Sequence, residues 1–394
     1  MAGDPQLEIP DFFKKSGICG IIVKVLLKIC FTAYRRIRKI FRLFYFSQLW
    51  LFIMEVIFKI TRQEANSQPL VKSYRLQVEP GNTILDCLHQ IKWEQDGTLA
   101  FRKNCRNTIC GSCAVRINGR SALACKENVG SELARLAEIY SSSSSSSFVI
   151  NADQIPEITV APLGNMPVIK DLVVDMNGFW NNLESVTPYV STVARKVPEK
   201  EFLQTPQERS LLDQTGNCIM CGACYSECNA REVNSNFVGP HALAKAYRMI
   251  ADSRDDQTEE RLEKYNLDTQ GVWGCTRCLY CDQVCPMEVA PLEQITKIKQ
   301  EILQRKQKSD SRVIRHRKTL VELVQQDGWI DERQFGVQVL GNYFRDLKGL
   351  LSIAPLGLRM LSKGKFPLSF QPSEGAEEVR SLIDSVKNIT GNRE

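Results

Sequence analysis

Twelve of the chain's fifteen cysteines stand in three tight groups, at spacings that suit thiolates holding iron. The first group is Cys105, Cys110, Cys113 and Cys125. The second is Cys218, Cys221, Cys224 and Cys228, and the third is Cys275, Cys278, Cys281 and Cys285, with Pro286 directly after it. A C-x4-C-x2-C step with one distant partner is the plant-type [2Fe–2S] pattern, and two C-x2-C-x2-C-x3-C runs form the bacterial two-cluster pattern. In that pattern the fourth cysteine of each run reaches across to the other run's cluster. Cys218, Cys221, Cys224 and Cys285 are therefore expected on one [4Fe–4S] cluster, and Cys275, Cys278, Cys281 and Cys228 on the other. Pro286 stops a helix from running back through Cys285. Asn229 holds the equivalent place after Cys228, so the halves are unequal.

Other cysteine chemistries fit less well. Disulfide scaffolds are short secreted chains, and this chain has 394 residues and no evident signal peptide. Zinc sites use one or two C-x2-C pairs, so three consecutive cysteine steps supply more thiolates than one tetrahedral ion takes. Cys19, Cys30 and Cys87 read as ordinary thiols, and His89, His241 and His316 as structural histidines. Gly216 and Gly222 have P-loop spacing but lack its lysine and fall among the cluster loops. With no nucleotide fingerprint and no acid–base pair, no catalytic residue is expected. Three centres in one chain would act as a wire, moving electrons without transforming a metabolite.

The elements that must position these thiols read as an α+β chain. Residues 1–65 carry 11 of the 51 Lys and Arg but 5 of the 45 Asp and Glu, so the remainder is neutral at 40 of each. All of the net +6 belongs to this arm, which argues against nucleic-acid binding. Within residues 21–42, Lys24, Lys28, Arg35, Arg38, Lys39 and Arg42 share one helical face, opposite aliphatic residues. That is the pattern of a helix lying on anionic lipid. Residues 43–58, with Glu55 as their sole charge, read as a second helix, interfacial, re-entrant or spanning; a helical hairpin covering a partner is the alternative. Residues 66–69 read as a linker, 71–78 as a strand, and Thr83 as the cap of a helix to about residue 94. Asn118-Gly119 reads as the turn of a hairpin carrying Cys113 and Cys125, and Gly111 as part of a loop wrapped closely round the cluster. The expectation is a β-grasp [2Fe–2S] ferredoxin domain over 70–180, with a serine-rich surface insert at 141–147. A helical two-cluster domain over 186–307 and an extension over 308–394 that docks on a partner or a membrane follow. The apolar stretch 347–361 is too interrupted by Gly349, Pro355 and Gly357 to span a bilayer.

Several of these segments resemble the iron–sulfur subunit of succinate dehydrogenase and fumarate reductase over roughly residues 70–300. The likeness runs through Cys105-Arg106-Asn107-Thr108-Ile109-Cys110-Gly111-Ser112-Cys113 and Leu123-Ala124-Cys125, then Pro167-Val168-Ile169-Lys170-Asp171-Leu172-Val173-Val174-Asp175. It continues in Cys218-Ile219-Met220-Cys221-Gly222-Ala223-Cys224, Gly239-Pro240, Tyr247-Arg248, Asp252-Ser253-Arg254-Asp255 and Val284-Cys285-Pro286. The resemblance implies a partner flavoprotein that oxidises succinate at FAD, and electrons passing through three clusters to membrane quinone. It also implies membrane-anchor subunits and a peripheral place on the cytoplasmic face of a bacterial membrane. Fumarate reduction is the same wire run backwards, and the iron–sulfur arm of a glycolate or heterodisulfide type oxidoreductase is a further alternative. Departures are specific. The usual member holds [3Fe–4S] at its third centre with an aliphatic residue where this chain has Cys278, so a second [4Fe–4S] is expected. Thr276 replaces a usual histidine, and Asn229 to Val233 replace a proline and tryptophans near quinone. The extra cysteine is similar to the variant subunits of some archaea and cyanobacteria, whose membrane would be a plasma or thylakoid membrane in the cyanobacterial case.

Overall fold

The computed structural model describes residues 53–142, 155–196, 201–305, 312–365 and 369–391. Two interlocked modules and a helical extension make up these residues. The first module is a five-stranded mixed sheet in the order β2-β1-β5-β3-β4. Strand β1 (Met54–Arg62) runs antiparallel to β2 (Leu70–Val78) and parallel to β5 (Glu157–Ala161), while β3 (Ala114–Ile117) pairs with both β5 and β4 (Arg120–Leu123). Val56, Phe58 and Ile60 of β1 alternate onto the core face with Leu76, Val78, Ile158 and Val160. Helix α1 (Ile84–Gln90) closes that face with Ile84, Leu85 and Leu88. It starts at Thr83, whose side chain accepts from the amide of Asp86, while Asp86 accepts from the amide of Thr83; this reciprocal cap satisfies two otherwise orphaned donors.

β1 corrects the expected arm. The sequence pattern places residues 54–58 in an apolar helix within a 1–65 arm, yet Met54–Arg62 is a central strand of the ferredoxin sheet. Its two-residue alternation is hidden because Ile57 on the other face is also apolar, so the segment merges with the apolar residues before it. The linker expected at 66–69 is correspondingly the β1–β2 hairpin connection, tightened by the Glu64 carbonyl accepting from the Ser67 amide at 3.0 Å. The basic face at 21–42, most of 43–58, and serines 143–147 lie outside the described residues. Ser141 and Ser142 end helix α2 (Val129–Ser142). α2 is pinned to the hairpin by Glu132, whose buried carboxylate meets Arg120 at 2.6 Å and Arg135 at 2.7 Å.

Arg62, at the end of β1, ties the module together. It donates to Asp171 at 2.9 Å, Asp96 at 2.7 Å and the Tyr74 hydroxyl at 2.7 Å. Burial opposes its charge, but these hydrogen bonds outweigh that and raise its pKa. Asp171 belongs to the turn between β6 (Val168–Lys170) and β7 (Val173–Val174), which leads through α3 (Asn177–Ser185) into the second module.

That module is helical. α4 (Pro206–Gly216), α5 (Ala223–Ser226), α6 (Asn229–Val233), α7 (Pro240–Ile250), α8 (Thr258–Tyr265), α9 (Tyr280–Gln283) and α10 (Pro291–Arg305) surround the second and third cysteine groups. Ala242, Leu243 and Ala246 of α7 and Ile295, Ile298 and Ile302 of α10 share one core with Phe237, Leu262 and Tyr265. A buried ion pair, Arg261 with Asp255 at 2.9 Å, fastens the connection from the first module: Arg261 donates to the carbonyls of Thr187 and Tyr189, and Asp255 accepts from the Ser191 amide. Beyond it come α11 (Arg312–Asp327), α12 (Glu332–Val339), α13 (Leu347–Ser362) and α14 (Ala376–Gly391). Among the described residues, no helix is long and apolar enough to cross a membrane.

Replacing Arg62 with Met leaves the carboxylates of Asp171 and Asp96, 3 % and 8 % exposed, without their guanidinium. Breaking a buried pair in this way costs about 3 kcal/mol. The R62M protein should unfold at clearly lower temperature by circular dichroism; an unchanged midpoint would show that the network does not hold the module.

Candidate iron–sulfur centres

The first cysteine loop is built by backbone that turns left-handed. Arg106 (φ 58°), Thr108 (φ 57°) and Gly111 (φ 70°) alternate with ordinary residues, a geometry that makes a concavity of amide N–H groups suited to sulfide and thiolate. The amides of Asn107 and Cys110 donate to Cys105 Sγ at 3.3 and 3.4 Å. Cys105 is exposed, and these backbone donors bring its pKa down to about 6. Cys113 is buried, and desolvation pushes its thiol up to about 12. The Asn118-Gly119 turn, with φ 49° and 79°, closes the β3–β4 hairpin. The hairpin brings Cys125 back beside Cys113, where the Ala124 amide donates to the Cys113 carbonyl at 3.1 Å.

The second and third groups exchange their last members. Cys218, Cys221, Cys224 and Cys285 line one cavity of about 20 Å³, closed by Phe179, His241 and Val289. Cys228, Cys275, Cys278 and Cys281 line another of about 20 Å³, closed by Phe237, Leu292 and Ile295. The two runs share a backbone. Met220 (φ 55°) and Gly222 (φ 83°) flank Cys221, just as Arg277 (φ 60°) and Leu279 (φ 67°) flank Cys278. A Cβ on Gly222 would sit 2.9 Å from the terminal methyl of Met166 in the first module, which would have to swing aside. Leu279 occupies the same conformation facing outward, 54 % exposed.

Burial raises the thiols of Cys221 and Cys228 to about 11, and those of Cys224 and Cys281 further. Such thiols become thiolates only beside compensating positive charge, which iron supplies. Each set stands around a cavity wall, and among the described residues no three His, Cys, Asp or Glu converge on a single ion. Four separated thiolates with amide donors such as that of Val289, 3.3 Å from Cys285 Sγ, suit a polynuclear cluster better than lone zinc. His241 faces the first of these cavities, and its Nδ1 has no hydrogen-bond partner among the described residues. It is buried and stacked on Phe179 with ring centroids 3.9 Å apart, its Nε2 lies 2.9 Å from the Phe179 carbonyl, and burial takes its pKa down to about 3. His89 is also buried and His316 stacks edge-on against Phe335; neither approaches the cysteine sets as a lining residue of the two cavities.

The modules meet at their cysteines. A Cβ on Gly111 would lie 2.9 Å from both Cα and Cβ of Cys221 and 3.1 Å from the Ile219 carbonyl. Lys126, next to Cys125, donates to the carbonyl of Pro286, next to Cys285, at 3.2 Å. Around them Ser121 donates to Glu227 at 2.7 Å, Arg116 pairs with Glu227 at 2.9 Å, and Asn165 Nδ2 donates to the carbonyls of Tyr225, Ser226 and Cys228. Phe179, Lys126 and Asn165 carried no sequence signal. Their roles arise from contacts between segments tens of residues apart.

Comparison with known proteins agrees with this division. Residues 56–181 match the 2Fe-2S iron-sulfur cluster binding domain, and residues 214–289 match the 4Fe-4S dicluster domain. The chain joins a [2Fe–2S] ferredoxin domain to a [4Fe–4S] dicluster domain. A chain of the Mycobacterium smegmatis Sdh1 complex in the apo form shares this fold: it is 22% identical, with TM-score 0.53, over 66% of this chain and all of that one. A hypothetical protein from Helicobacter pylori is 18% identical, with TM-score 0.41, over 68% of this chain and 43% of that one.

Gly111 and Gly119 offer a matched test of the junction. Both have positive φ, but nothing lies within 4 Å of a Cβ on Gly119. Gly119→Ala should show only the conformational strain, whereas Gly111→Ala adds overpacking of about 1–3 kcal/mol. On heating, visible absorption should be lost earlier in G111A than in G119A. Equal losses would mean that the Cys221 contact does not constrain the fold.

Proposed function

We propose that this chain is the iron–sulfur electron-transfer subunit of a succinate:quinone oxidoreductase, passing electrons from the FAD of a flavoprotein partner toward membrane quinone. One observation carries the reading: the cysteine sets form an unbroken series whose ends reach the surface. Cys105 and Cys278 are exposed, while the four cysteines of the set between them are half-buried, with Gly111 against Cys221 on one side and Cys224 near Cys281 on the other. Cys105, Cys110, Cys113 and Cys125 would hold [2Fe–2S]; Cys218, Cys221, Cys224 and Cys285 would hold one [4Fe–4S], and Cys275, Cys278, Cys281 and Cys228 the other. Bound clusters supply reversible one-electron uptake. The chain's own residues hold the thiols apart, donate amide hydrogens to them, and exclude water with Phe179, Phe237 and Ile295. The flavoprotein would dock at the loop of Cys105 and Ile109, where Ile109 is 64 % exposed. The Pro167-to-Asp175 segment and the plant-type module ahead of the two-cluster module favour this reading over a glycolate or heterodisulfide type oxidoreductase. Copurification tests it. A tagged chain should bring down a large FAD protein with succinate dehydrogenase activity; isolation as a flavin-free monomer with clusters intact would overturn it.

Cys278 makes the third centre a four-iron one in this proposal. Oxidised wild-type protein prepared without oxygen should show no three-iron paramagnetic signal, and Cys278→Ala should create one. A stoichiometric three-iron signal in the wild type would contradict the assignment.

Membrane contact is proposed at both ends of the chain. The basic, apolar arm ahead of β1 would lie on anionic lipid, each cation contributing about 1 kcal/mol near the surface. Helix α13 adds a stripe of Leu347, Leu351, Leu358 and Leu361, all more than half exposed, bordered by Lys348 and Arg359. Deleting residues 1–50 keeps β1 intact and should lower the membrane-bound fraction at moderate salt without loss of clusters. A deletion through residue 65 removes β1 and should destroy the first module. Unchanged membrane binding of the shorter deletion would assign attachment to separate anchor subunits.

A further inference from the structure

Helix α13 has three sides, and one of them is apolar and uncovered among the described residues. On the packed side, Leu350 and Ile353 reach Gly341 and Gly336, whose bare backbones leave room for them. Leu347, Leu351, Ala354, Leu358 and Leu361 recur every three or four residues along a second side, and all five are exposed. Lys348, Ser352 and Arg359 make up a third side next to it. Residues 347–365 hold the cations Lys348, Arg359, Lys363 and Lys365 and no Asp or Glu. Asp346, just ahead, is engaged as the helix cap, accepting from the Gly349 amide at 2.8 Å. The loop before the helix is unusual in its backbone. Asn342 (φ 44°), Tyr343 (φ 54°) and Phe344 (φ 69°) are three successive left-handed residues, none of them glycine. Such backbone is unfavourable for residues with side chains, and it persists at binding sites where neighbouring contacts hold it. Here the Arg345 amide donates to the Asn342 carbonyl at 3.1 Å, and the Asp346 amide to the Gly341 carbonyl at 2.9 Å. The turn so closed displays two aromatic rings, Tyr343 at 58 % and Phe344 at 67 % exposure.

We propose that the 342–344 loop is a membrane wedge: Tyr343 and Phe344 insert into an anionic leaflet, and the Leu347-to-Leu361 side of α13 lies along it. This rests on the membrane contact proposed above and names the residues that enter the lipid. Charge decides the occupant. Leucines flanked only by cations, with aromatic rings at one end, form the interfacial pattern, in which headgroup phosphates meet the cations and acyl chains meet the leucines. A protein partner would need an apolar groove as long as the helix, with carboxylates along one edge. Length and Pro355 set the orientation. Sixteen residues reach about 24 Å, less than the roughly 30 Å of a hydrocarbon core. Pro355 also denies the Leu351 carbonyl its usual helical donor, which suits the hydrated headgroup layer and not the bilayer interior. The helix therefore lies flat.

Fluorescence of the full, cluster-loaded chain on vesicles tests this. Phe344→Trp places a reporter in the loop, read as the emission it adds over the parent chain. On vesicles of phosphatidylglycerol with brominated acyl chains, that added emission should shift to the blue and be quenched. Brominated phosphatidylcholine vesicles should give little of either. Leu351→Glu combined with Leu358→Glu puts charge on the exposed side, where the fold does not depend on it, and should abolish the quenching. Visible absorption of the clusters should be the same in every variant. Should F344W lose its clusters, Tyr343→Trp supplies the same reporter. Unquenched emission from a vesicle-bound chain would overturn the proposal and leave the contact of the N-terminal arm standing. Undiminished quenching in the double glutamate variant would also overturn it. So would a double variant that elutes as a smaller assembly while F344W stays unquenched, which would assign the leucines to a second copy of the chain. A parent chain that binds no anionic vesicle would overturn the membrane contact itself, and this inference with it.

Discussion

The contact of Gly111 with the backbone of Cys221 constrains everything around it. Two loops that each wrap a cysteine set approach so closely that the first has no room for a side chain at Gly111. For that approach to hold, the sheet must present the β3–β4 hairpin at a fixed angle, and the hairpin's outer residues must lock onto α5. Ser121 and Arg116 do so through Glu227, and Asn165 does so by satisfying three carbonyls at the end of α5 and at Cys228. These are partly buried, charge-assisted contacts, individually worth about 1–3 kcal/mol, and they are directional. Directionality is what a conducting junction requires, because the separation of centres is set by loop geometry and not by hydrophobic area.

The exchange of Cys228 and Cys285 between the two cavities makes the helical module a single unit. Removing either cysteine would open one cavity and also release the opposite run. The near-symmetry of the runs is broken where their surroundings differ. Gly222 faces Met166 of the ferredoxin module, which a side chain there would displace, while Leu279 faces outward and carries one despite its left-handed backbone. After Cys228 the chain enters α6 at Asn229; after Cys285, Pro286 forbids that, and the chain stays irregular through Glu288 and Ala290 until Pro291 opens α10. The pseudo-twofold plan is thus shaped at one end for a protein neighbour and at the other for an open surface.

Sequence made the chemistry legible and the context much less so. Cysteine spacing, the Asn118-Gly119 turn and the Thr83 cap act locally, so each could be read from a few residues. β1 could not, because a central strand with apolar residues on both faces loses its alternation and reads as a continuation of the apolar stretch before it. Lys299 looks like an ordinary solvated lysine in an amphipathic helix; its burial follows from how α10 packs with the cysteine loops. The α13 segment looked too broken for a span, and it is a helix all the same, with Pro355 within it and Gly349 pressed against the Leu340 carbonyl of the preceding turn.

The central claim is that the three cysteine sets form one continuous electron path across the Gly111–Cys221 junction. Magnetic coupling between neighbouring reduced centres measures that continuity directly. In the fully reduced chain, the [2Fe–2S] paramagnetic signal should relax markedly faster than it does when the dicluster centres remain oxidised, and it should broaden as they are reduced. A [2Fe–2S] signal that keeps the same relaxation and width whatever the state of the other centres would contradict the account.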